Sequence, residues 1–188
     1  MSIGLTTKIA AGIEVDDLIQ EVSLALRDLL NLSVAPPLRS ERFDGSQWQP
    51  LPGAHQLDTS SPFIGLSIQG EVEMASISIY ERTTERFPAP DWKPEELGKR
   101  ASVEVCGVRT GLSFALVAAV SLAIARRSGG LIADEMRFYT TSFDSSPEDF
   151  LNSTRVANKM DDYREASNRF ELQLLQKKSV QTSNDRHV

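Results

Sequence analysis

Residues 64–79 read IGLSIQGEVEMASISI, and the fold turns on them. Ile64, Leu66 and Ile68 alternate with Gly65, Ser67 and Gln69, the period expected of a strand with one buried face. Gly70-Glu71 offers a tight turn, after which Val72 and Met74 resume the alternation. Ile77 and Ile79 have the opposite parity, so the pattern predicts a β-bulge at Ala75-Ser76. A hairpin in the middle of the chain argues for antiparallel pairing.

On the C-terminal side, FPAPDWKPEELGK over 87–99 reads as loop, and 102–108 as a further strand. An apolar helix follows over 110–127, with Gly129-Gly130 as its C-cap. Residues 131–142 read as extended, with Met136, Phe138 and Thr140 on one side. Ser146-Pro147-Glu148-Asp149 has the N-cap, N1 and N3 residues of a helix start. That predicts a C-terminal helix over about 147–176. Its stripe of Val156, Met160, Tyr163, Ser167, Phe170 and Leu174 is too short for a coiled coil and should pack on the domain. The tail 179–188 is polar and expected to be disordered.

On the N-terminal side, 35–62 is a Pro-rich irregular connection with room for one short strand around Trp48. Residues 14–31 form the clearest amphipathic helix, with Val15, Leu18, Ile19, Val22, Leu26, Leu29 and Leu30 on one face. A short strand is expected within 3–10. Strands and helices do not alternate regularly, which favours an α+β fold over a doubly wound sheet. The expectation is one domain over 1–178: an antiparallel or mixed sheet of about four to five strands, helices on one face, and the C-terminal helix.

Composition narrows the function. The chain has 188 residues, one cysteine, two histidines, a net charge of −6 and a pI near 5.0. A single cysteine excludes an internal disulfide framework, and this His/Cys count argues against a structural zinc site. The acidity argues against nucleic-acid binding by phosphate neutralisation and permits a basic protein partner. Residues 147–188 carry seven acids and seven bases, so the whole −6 lies in residues 1–146. The longest uncharged run, TGLSFALVAAVSLAIA over 110–125, is shorter than a spanning helix and reads as a core helix. The first residues show no signal-peptide pattern, and Ser2 stands where myristoylation needs glycine. A cytoplasmic location is expected, and no membrane partner.

No catalytic pattern stands out. Cys106, in SVEVCGV, reads as a small strand hydrophobe, with His55 as a distant base that nothing places nearby. Ser67 and Ser113 lack the glycines of a nucleophile elbow. Asp134-Glu135 and Asp161-Asp162 are adjacent pairs whose side chains diverge, so a surface or turn role suits both. No metal or cofactor is expected. Trp48 and Trp92 instead lie in Pro-rich segments, and Trp92 has Phe87, Asp91, Glu95 and Glu96 close by. An aromatic anchor among carboxylates suits recognition of a basic protein surface. Trp48, Phe87, Asp91, Trp92, Glu95 and Glu96 are the candidate partner-binding residues.

Residues 118–151 combine AIARRSGG, LIADE and SPEDFL, a helix–Gly-Gly–strand–helix junction. This resembles the endings of small uncharacterised bacterial α+β proteins, including immunity proteins that neutralise polymorphic or secreted toxins. The resemblance implies inhibition of a toxin or effector by binding, without catalysis, and carries over no binding residue. The functional expectation is a non-catalytic, acidic protein-binding module acting by occlusion. The alternatives are a structural or assembly protein, such as a homodimer formed through a sheet edge or the C-terminal helix, and a small enzyme.

Overall fold

A computed structural model describes residues 3–9, 12–51, 55–60, 63–83 and 97–184. Among them, eight strands form one antiparallel sheet in the order β3-β2-β4-β5-β6-β1-β7-β8. The strands are β1 (Gly4–Lys8), β2 (Leu38–Phe43), β3 (Trp48–Pro50), β4 (Ile64–Ile68), β5 (Met74–Arg82), β6 (Gly98–Cys106), β7 (Ile132–Ala133) and β8 (Asp144–Ser145). The helices are α1 (Val15–Leu30), α2 (Gly111–Ser128), α3 (Pro147–Thr154) and α4 (Tyr163–Asn184). The α+β class stands, but the sheet has eight strands where four to five were expected. The short strand expected around Trp48 is β3 and the extended segment holds β7, so the unexpected strands are β2, in the Pro-rich segment, and the two-residue β8, too short to leave a periodic signal.

The predicted bulge is absent. β5 pairs β6 without interruption from Met74↔Cys106 to Arg82↔Gly98, and β4 in steady register over Ile64↔Ile77 to Leu66↔Ala75. The parity changes because Val72 lies outside the strand, 82% exposed, while Met74 points to the sheet face away from the helices. There Met74 and Trp48 close over Gly65, where a Cβ would come within 2.1 Å of the methionine sulfur and 2.9 Å of the indole.

The opposite face carries the core. Leu5, Ile64, Leu66, Ile68, Ala75, Ile77, Ala101, Val103 and Ile132 are all buried there. α2 packs against β1, β5, β6 and β7, and also against α1, α3 and α4. Every residue from Gly111 to Ala125 is therefore buried. By length and composition α2 could cross a membrane, but its apolar surface is spent inside the fold. The start of α2 approaches α4 so closely that a Cβ on Gly111 would sit 2.2 Å from the Ser167 carbonyl oxygen. Thr110 and Ser113 cap that end reciprocally, and Gly129 closes the other in the left-handed region.

The single C-terminal helix expected over about 147–176 is two helices. Ser146 caps α3 by accepting the Asp149 N–H at 3.1 Å, as the local signal predicts. The chain then leaves the helix at Arg155. Val156 N–H donates to Leu29 O and Met160 N–H to Asn31 O, so the linker docks on the end of α1. Phe170 and Leu174 of α4 are fully buried, and the stripe packs on the domain.

Candidate functional site

The predicted recognition residues divide. Phe87, Asp91, Trp92, Glu95 and Glu96 lie outside the described residues. Trp48 opens β3 at one edge of the sheet, half-buried, with its ring 5.4 Å from that of Phe43. It rests on Gly65 on the face away from the helices.

The candidate chemistry residues serve the fold. Asp134 is 1% exposed, and its carboxylate accepts three backbone N–H groups: Phe138 at 3.0 Å, Tyr139 at 2.6 Å and Thr140 at 2.9 Å. Burial pushes this carboxyl above its ordinary value, outweighing the opposite pull of those bonds. The stretch 131–142 is consequently not one extended segment. It is β7, a turn closed by Arg137 N–H to Asp134 O at 2.9 Å, and a loop returning to β8. Phe138, Tyr139 and Thr140 are all buried in succession. Tyr139 is enclosed by Phe138, Phe150 and Phe170, and its hydroxyl donates to Phe114 O at 3.3 Å. Burial drives that phenol well above its usual range. Asp162 accepts the Glu165 N–H at the start of α4, and Asp161 accepts the Ser33 hydroxyl.

Cys106 ends β6 opposite Met74, a half-exposed free thiol. Burial raises its pKa, the wrong direction for an activated nucleophile. His55 lies elsewhere, its carbonyl accepting Val15 N–H at the start of α1. Alkylation of Cys106 by iodoacetamide in the native protein should therefore be slower at about pH 8 than that of a free small thiol, and should still climb with pH beyond the ordinary thiol range. Labelling as fast as the free thiol would restore Cys106 as a nucleophile.

Two clefts remain. One, of about 210 Å³, lies between the β4–β5 turn, the start of α2 and α4, and is lined by Glu71, Glu73, Thr110, Leu112, Arg164 and Ser167. Its charges are largely satisfied internally. Glu71, 7% exposed, takes the Arg164 guanidinium on both carboxylate oxygens, at 2.6 and 2.8 Å, and accepts the Tyr163 hydroxyl. This clamp fastens α4 to the hairpin, and nothing in the sequence spacing signals it. The second cleft, about 280 Å³, runs between α1 and α2 beside Leu24, and its Arg127 is paired to Asp17 and Glu21. Among the described residues no group of three or more His, Cys, Asp or Glu side chains could hold a metal ion. Comparison with protein-family models, with curated proteins and with solved structures finds no match to this chain.

Proposed function

We propose that this chain is a non-catalytic, acidic protein-binding module that occludes a basic protein partner, in the manner of an immunity or inhibitor protein against a toxin or effector. The supporting observation is how its titratable groups are used. The buried acids, Asp134 and Glu71, are spent on backbone N–H groups and on Arg164, while acids such as Asp144 and Glu148 face solvent. Uncommitted surface acidity speeds encounter with a basic partner and supplies no reaction machinery. A cytoplasmic location accords with the free thiol of Cys106.

Self-assembly through a sheet edge has less in its favour. β3 has three residues and ends in Pro50, β8 has two, and short or proline-terminated edges resist pairing.

The test is capture of a partner from the native host, followed by association kinetics on the purified pair. Association should slow about tenfold between low and physiological salt, and again when Asp91, Glu95 and Glu96 are changed together to lysine. A salt-independent rate would overturn electrostatic occlusion. An unchanged rate in the triple variant would remove those three residues from the interface.

A further inference from the structure

We infer that the β7–β8 hairpin, with the first turn of α3, forms a docking surface for a basic, partly apolar face of a protein partner. The inference rests on the binding reading above and names a surface within it.

The apolar centre is Met136 and Phe143, 41% and 47% exposed. The hairpin backbone brings their two segments together. Asp134 N–H donates to Phe143 O at 2.7 Å, and the turn carrying Glu135, Met136 and Arg137 starts at Asp134. Two exposed large side chains on one hairpin have the size of an interface anchor. The rim is acidic. Residues 134–149 contain five acids against one base, Arg137. With Asp134 buried, Glu135, Asp144, Glu148 and Asp149 remain at the surface. Glu135 reaches Arg82 only at 3.9 Å, and none of the other three has a cationic partner among the described residues. On α1 most acids are paired: Asp17 and Glu21 bind Arg127, and Asp28 binds Arg27 and Arg126, leaving Asp16. Acids without a cationic partner therefore flank the apolar centre on this hairpin, with Lys178 over the buried Phe138 ring as the neighbouring cation, and their complement is a cationic surface with an apolar middle.

The hairpin is also set before any partner arrives. Asp134 gathers three N–H groups of the loop, Tyr139 anchors it in the aromatic core, and Thr140 Oγ1 donates to Ser142 O at 2.7 Å. Arg137 is held at φ 47°, a left-handed conformation unusual for arginine. A surface already ordered loses little entropy on association.

The test is a titration of the full, isotopically labelled chain, followed by backbone amide shifts. The probe is a synthetic amphipathic peptide of lysine and leucine, and the control has glutamate for lysine. Shifts on 135–149 with the lysine peptide alone are the expected result. The pair Met136→Ser and Phe143→Ser should weaken binding about tenfold, and so should the triple Asp144→Lys, Glu148→Lys, Asp149→Lys. Glu148 and Asp149 also sit in the first turn of α3, so folding of each variant is verified by an amide spectrum unchanged outside 134–150. Shifts centred on α1 or around Trp48, with 135–149 unmoved, would overturn this surface while leaving the binding reading intact. Equal response to both peptides would overturn the charge argument. A captured host partner that binds without perturbing 135–149 would overturn the inference even where the peptide binds there.

Discussion

Replacing Asp134 by alanine should lower stability by about 3–5 kcal/mol, because three buried N–H groups lose their acceptor together. Phe138, Tyr139 and Thr140 all donate to this carboxylate, and no other hydrogen-bond partner of those three N–H groups is seen among the described residues. Asp134→Asn should fall between the wild type and the alanine variant. It retains the oxygen for Phe138 but turns an amide group toward the N–H groups of Tyr139 and Thr140. The pH dependence has a definite sign. Burial raises the folded carboxyl above its unfolded value, so its contribution is complete below the unfolded value and is lost as pH rises through the folded one. The gap between wild type and Asp134→Ala should widen as pH falls from neutral toward the ordinary carboxylate range. Denaturant unfolding of both chains at several pH values measures this, and a gap that narrows toward acid would refute the assignment.

The second large effect is Phe170→Ala. Phe170 is fully buried on α4, and its ring centroid is 6.5 Å from that of Tyr139, which also meets Phe150 at 6.1 Å. Truncation removes a ring from the contact between α4 and the loop after β7. The expected loss is about 3–5 kcal/mol, as for other buried aromatics cut to alanine. In a domain of this length that lowers Tm by roughly 6–20 °C, readable by calorimetry. Phe170→Leu retains most of the volume and should lose markedly less. A Tm within a degree of wild type in the alanine variant would show that α4 does not seal this core.

The two changes also separate local from distant information in the chain. Helix α1 was legible because its apolar residues repeat on one face, and Val15, Leu18, Val22, Leu26, Leu29 and Leu30 are buried as that pattern requires. The caps at Gly129 and Ser146 were legible because a cap bonds only to its own helix. The β4–β5 hairpin was legible because its turn is local. Its register was not, since the orientation of Met74 depends on closing over Gly65 together with Trp48, which arrives from β3. The candidate surface shows the same division. The concentration of acids over 134–149 can be read from the residues. Which acids remain free cannot: Asp134 and Glu135 are neighbours in sequence, yet one is enclosed by backbone donors and the other faces solvent.

By itself the sequence determined an α+β domain with an amphipathic first helix, a largely apolar second one, a central hairpin and a net negative charge carried by residues 1–146. Tertiary structure alone decided which strands and helices enclose α2, that eight strands share one sheet, and that the C-terminal helix breaks at Arg155. The physical reason is range. Periodicity and capping act over a few residues, whereas sheet pairing and the partners of a largely apolar helix lie scores of residues away, about which local pattern carries no information.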